Sequence, residues 1–203
     1  MDQSNFDTRQ NDPRAQRVIR AIERFIGVFN DRVPSDHAKN VLYGSATLDG
    51  RQIDQAPERF IEEHLVRDVA DVLGYDYRPQ PKGFDGLEGR IPDFTVTNGN
   101  VTVIGEIKRP NDISKARSES VEYLDLATSR PLVGIATDGW TWVKYTAGEG
   151  EDPTYAKHSP LRSVIRDLAR EQSSKRSPRR ERPKLRERCF EFVDAFEIGT
   201  LSE

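Results

Sequence analysis

Apolar positions along the chain recur with two different periods, and the alternation between them lays out the elements. Val18, Ile19, Ile22, Phe25, Ile26 and Phe29 fall at helical spacing, which predicts an amphipathic helix acting as scaffold. From Asn30 to Gln55 the pattern is mixed, with Pro34 as punctuation and Asp49-Gly50 as a turn, so this stretch reads as loop plus a short helix. Pro57 to Gly74 reads as a helix with defined ends: Pro57 in the first turn, acids close behind it, and Gly74 as the stop. Its apolar stripe is Ile61, Leu65, Val69 and Val72.

Beyond Gly74 the period changes. The stretch YDYRPQPKGFDGLEGR reads as a strand followed by a Gly/Pro-rich loop, and IPDFTVT and VTVIGEIK then flank Asn98-Gly99, a strong hairpin signal. A helix is expected over about Ser114 to Ala127, a strand pair from PLVGIAT and TWVKYT around Asp138-Gly139-Trp140, and a helix over about Ser159 to Arg170. In SSKRSPRRERPKLRER, residues 173–188, Lys and Arg outnumber Glu eight to two, and the segment reads as a flexible basic connector. The following RCFEFVDAFEIG is expected to dock as a short terminal element. The fold class is therefore α/β, a mixed central sheet flanked by helices. Its parts are a helical extension over 1–56, a core over 57–172, and a basic connector and tail over 173–203.

With 203 residues and 35% hydrophobic content the chain carries one sizeable core. Charged residues make up 32% yet balance to −3, so contact with nucleic acid would have to come from local patches. The lone Cys189 excludes an internal disulfide framework, and His37, His64 and His158 are too scattered for zinc spacing. A reducing, cytoplasmic setting fits this usage. The polar start MDQSNFDTRQ lacks a signal-type apolar stretch, and no run approaches a membrane span.

The hairpin concentrates the chemistry. A two-residue turn at Asn98-Gly99 would pair Val96 with Val101, Phe94 with Val103 and Asp93 with Ile104. Alternation then puts Glu106 and Lys108 on the face of Asp93, and Phe94, Val96, Val101, Val103 and Ile107 on the core face. Two carboxylates without a nearby His or Cys suit a hard cation, Mg²⁺ or Mn²⁺. A cation there polarises a phosphodiester oxygen and acidifies bound water, while a lysine beside it orients the nucleophile. The plain alternative is a solvated strand face beside an unremarkable aspartate.

Pro92-Asp93-Phe94, a hairpin, and Gly105-Glu106-Ile107-Lys108-Arg109-Pro110 resemble the signature of PD-(D/E)XK nucleases. The variant is similar to the nuclease domain of type I restriction enzyme motor subunits and related restriction proteins. The resemblance covers about residues 57 to 146 and implies a restriction-endonuclease-like core. It implies that Asp93 and Glu106 bind metal, that Ile107 lends its backbone carbonyl and that Lys108 is catalytic. It also implies an acid from the preceding helix. Glu58 in PERFIEEHLV matches best and Glu62 competes with it, since periodicity does not decide between them. Related nucleases carry Gln-x-x-x-Tyr on the next helix, where this chain has Glu119 and Tyr123, and the TDGWTW turn at 137–142 resembles theirs.

The function so implied is Mg²⁺-dependent endonucleolytic hydrolysis of DNA in restriction or defence against foreign DNA. A homodimer or larger restriction/defence complex would supply the two sites that double-strand cleavage needs. The competing class is a catalytically inactive nuclease fold kept for DNA binding or assembly. Gly-x-Ser-x-Gly and the phosphate-binding Gly-x-x-x-x-Gly-Lys-Ser/Thr loop are both absent from the sequence, which argues against a serine hydrolase and an NTPase. Lys108, Arg109, Lys115 and Arg117 are candidate phosphate contacts. Trp140 and Trp142 are expected to pack on helices and not to stack on bases.

Overall fold

The computed structural model describes residues 12–83, 87, 89–97, 101–127, 132–147, 152–173 and 182–201. Among the described residues six strands form one sheet in sequence order: β1 (Tyr77–Pro79), β2 (Phe94–Val96), β3 (Thr102–Ile107), β4 (Leu132–Thr137), β5 (Thr141–Ala147) and β6 (Thr154–Pro160). All neighbours are antiparallel except β3 and β4, which run parallel. A parallel pair needs a long crossover. Helix α5 (Ile113–Leu126) supplies it and packs over β3, β4 and β5.

The opposite face of the sheet carries the other helices: α1 (Pro13–Arg32), α2 (Ser35–Leu42), α3 (Pro57–Ile61) continued through a π turn (Glu62–Val66) into α4 (Arg67–Val72), α6 (Arg162–Ser173) and α7 (Arg182–Phe196). Strand alternation explains why two cores exist. Phe94, Val96, Val103, Ile107, Val133, Ile135 and Trp142 point to the helical layer, while Ile104, Leu132, Ala136, Val143 and Tyr145 point to α5. Trp140 and Trp142 are fully buried, Trp140 edge-on to Phe25 and Phe29 and Trp142 edge-on to Phe192 and Phe196, as expected of packing residues.

Helix α1 begins at Pro13 behind Asp12, whose carboxylate accepts the Arg14 N–H at 2.7 Å. Its six expected apolar positions are all buried. Helix α1 contacts α4, α6 and α7, so one apolar cluster takes residues from Ala15 to Leu201. The predicted stripe Ile61, Leu65, Val69 and Val72 is buried too, and Gly74 ends the run at φ +80°.

Three expectations are corrected. The chain enters β6 at Thr154–Pro160, so Ser159 belongs to a strand and the helix starts at Arg162. Residues 182–188 are not a connector: they open α7, with Arg182 bonded to Glu23 and Glu171, Arg186 to Gln16, and Arg188 to Asp167. The tail after Arg188 is the apolar half of that helix, burying Cys189, Phe192, Val193 and Phe196. Residues 174–181 lie outside the described residues.

The register of the central hairpin also differs. Phe94 pairs with Gly105, Thr95 with Ile104 and Val96 with Val103, two residues further along β3 than a two-residue turn would give. Asn98 and Gly99 lie outside the described residues. The reason for the shift is steric. The Phe94 ring lies over Gly105, where a Cβ would fall 2.0 Å from Phe94 Cζ, and it stacks on Tyr77 at 4.9 Å between centroids. Only glycine at 105 accommodates that ring. A shift of two preserves the faces.

Candidate active site

The corrected register sharpens the site. Continued by one residue, it sets Asp93 directly across from Glu106, where opposed side chains start about 4.5–5.5 Å apart, closer than the diagonal arrangement expected from a two-residue turn. Asp93 Oδ2 accepts the Ile107 N–H at 2.7 Å, and the Asp93 carbonyl accepts the Gln80 N–H at 2.8 Å. The strand entry is thus fixed from both sides.

Glu106 is 3% exposed; its Oε1 accepts from Lys108 Nζ, its carboxyl also meets that of Glu119, and no protein N–H or O–H donor reaches its buried Oε2 among the described residues. A buried orphan carboxylate oxygen is costly unless something outside the protein meets it. Burial pushes the Glu106 carboxyl up to about 9, with Glu119 and Asp93 adding to the rise and Lys108 opposing it. Asp93 is raised by burial as well, against the Ile107 N–H and Lys108. Burial would lower Lys108, but Glu106 and Glu119 outweigh it and hold the ammonium charged.

Lys108 sits where β3 leaves the sheet, its N–H donated to the Thr137 carbonyl at the end of β4 at 2.9 Å. Its Nζ also lies 2.7 Å from Glu119 Oε2 on α5. Tyr123, one turn after Glu119, is pushed up to about 12 by burial and by Glu106, Glu119 and Asp93. Close approach of α5 makes this convergence work: a Cβ on Gly134 would meet Leu124 Cδ1 at 2.9 Å.

The helix acids separate. Glu62, in the π turn and with 15% of its side chain exposed, accepts from Tyr77 Oη at 3.0 Å and from Arg67 at 2.8 Å. Its charge raises Asp93. The Glu58 side chain, one turn earlier, makes no hydrogen bond or ion pair among the described residues. The π turn is the feature that sequence periodicity could not reveal, and such insertions recur at functional sites.

The basic residues are less available than the sequence suggested. Arg109 and Lys115 both pair with Asp112, at 3.2 and 3.5 Å, and Arg117 donates to Tyr145 Oη at 2.8 Å. The turn after β4 is anchored by Asp138, whose Oδ1 accepts the N–H groups of Trp140 and Thr141 at 3.0 and 2.7 Å. Gly139, at φ +78°, packs there against Ile61 and Leu65. This ties the turn to the helix that carries Glu62.

The residues present suit a hard divalent cation: two opposed carboxylates, one with an orphan oxygen, and no sulfur or imidazole beside them. Among the described residues no group of three or more His, Cys, Asp or Glu side chains is gathered as a metal cage. No helix among them is long and apolar enough to cross a membrane. No protein-family model, curated protein or solved structure matches the chain.

Proposed function

We propose that this chain is a Mg²⁺- or Mn²⁺-dependent deoxyribonuclease of the PD-(D/E)XK type with a restriction-endonuclease-like core, acting in the cytoplasm in restriction or defence. The observation that carries the reading is Asp93 opposite Glu106, with Lys108 two residues on from Glu106 and on the same face. Asp93, Glu106 and the Ile107 carbonyl would hold the cation. When bound, it supplies charge neutralisation at a phosphodiester and a more acidic water.

The chain's own residues do the remainder. The N–H of Ile107 fixes Asp93, so the carboxylate faces the site without searching rotamers. Lys108, whose ammonium Glu106 and Glu119 hold charged, would supply positive charge and a hydrogen-bond donor to a phosphate oxygen or attacking water. Glu62, held by Tyr77 and Arg67, is the better placed helix acid for orienting water, in preference to Glu58.

Conversion of supercoiled plasmid to nicked or linear forms in Mg²⁺ or Mn²⁺, abolished by EDTA, tests the reading. One observation favours the alternative of a catalytically inactive DNA-binding or assembly subunit: the Lys108 ammonium is already paired with two acids, Glu106 and Glu119. A folded protein that binds DNA and never cuts it would select that alternative.

A further inference from the structure

Lys108 has two acidic partners of different character. Glu106 belongs to its own strand and its side chain is 4% exposed; Glu119 reaches in from α5 and its side chain is 40% exposed. The helix that carries Glu119 is held rigidly. Ala116 and Leu124 are fully buried, Ser120 is 1% exposed, and Leu124 fits against Gly134 on β4. Glu119 therefore approaches Lys108 from a fixed element, at 2.7 Å.

The two partners also differ in what else they are asked to do. Glu106 faces Asp93 across the hairpin, so in the nuclease reading its oxygens are shared with a cation. Glu119 comes from a different element, and besides Lys108 its carboxyl meets that of Glu106. A lysine side chain gives up much rotamer freedom when fixed, so a catalytic lysine needs a partner that persists when the cation is present. We propose that Glu119 is the positioning residue for Lys108, holding its ammonium in place while Glu106 is engaged with the cation. The catalytic consequence rests on the nuclease reading; the pairing itself does not. A glutamine would offer a neutral carbonyl there, a weaker acceptor for an ammonium than a carboxylate.

The test uses the full chain, ¹⁵N-labelled, with Mg²⁺ present. The Lys108 Nζ resonance is assigned by its disappearance in Lys108→Arg and followed in wild type, Glu119→Gln and Glu119→Asp, with circular dichroism as the check on folding. A Lys108 signal that is sharp in wild type, lost in Glu119→Gln and partly retained in Glu119→Asp supports the proposal. The same Glu119→Gln variant should cut plasmid about 10- to 100-fold more slowly, with the DNA KM and the Mg²⁺ midpoint unchanged. An unaltered Lys108 signal in Glu119→Gln overturns the proposal. So does a shifted Mg²⁺ midpoint with the signal intact, which would make Glu119 a ligand. If wild type cuts nothing, the nuclease reading fails while the Lys108 signal still decides the positioning.

Discussion

The Asp93 carboxylate accepts the backbone N–H of Ile107 at 2.7 Å, which couples the acid at the start of β2 to the strand that carries Glu106 and Lys108. That bond makes Asp93 part of the hairpin's geometry as well as its charge. An asparagine can still accept the Ile107 N–H through its amide oxygen but brings no negative charge. Asp93→Asn is therefore expected to be no less stable than wild type, because burial already disfavours the charge that the substitution removes. It should lose metal-dependent cleavage by more than roughly 100-fold, beyond what an outer partner of a ligand costs. Unfolding curves and plasmid cleavage on the same preparation check both halves.

Phe94 and Gly105 set the register on which the site depends. Gly105→Ala forces its methyl group into the Phe94 ring and should cost about 1–3 kcal/mol in urea unfolding. Adding Phe94→Leu to Gly105→Ala should recover part of that loss, because the clash is with the ring. Equal stability of Gly105→Ala and wild type would mean that the ring does not hold the register.

The helix acid is decided by comparing two isosteric variants. Glu62 is bonded to Tyr77 and raises Asp93, whereas the Glu58 side chain has no partner among the described residues. Glu62→Gln should slow cleavage at least about tenfold and Glu58→Gln should leave it near wild type. The reverse order in a cleavage time course would return the role to Glu58.

Asp138 gives a pH signature of its own. Burial pushes its carboxyl up to about 6, against the Thr141 N–H and Arg162, from an ordinary value of 3.8. Between these values the folded protein retains a proton that the unfolded chain has lost. Its contribution to stability is therefore present below about 4 and falls as pH rises through 6, on the order of 3 kcal/mol in all. The stability of wild type relative to Asp138→Asn should drop by that order between pH 4 and pH 7 in urea titrations. A pH-independent difference would contradict the burial argument.

Much of the framework was legible because burial imposes period. Strand alternation placed Asp93, Glu106 and Lys108 on one face, and it survived a wrong register because the error was an even number of residues. The register itself was not legible: Asn98-Gly99 favours a tight turn locally, while the decisive contact, Phe94 on Gly105, is across strands. Strand β6 leaves no apolar alternation in TYAKHSP, because it lies at the sheet edge with nearly every residue exposed. Helix α7 reads as two segments in the sequence because its charged first half masks a stripe, Leu185, Cys189, Phe192 and Phe196, that continues into the tail. Its arginines read as a basic patch, but Arg182, Arg186 and Arg188 bind α1 and α6. Glu119 was visible as a residue, but its reach to Lys108 depends on how closely α5 approaches Gly134.

The central claim is tested most directly by the rate of plasmid cleavage in Mg²⁺ for wild type and Lys108→Ala side by side. Wild type should cut and the variant should not, with both folded. Equal cutting by the two proteins would contradict the assignment of the site, and no cutting by either, with DNA still bound, would contradict the nuclease itself.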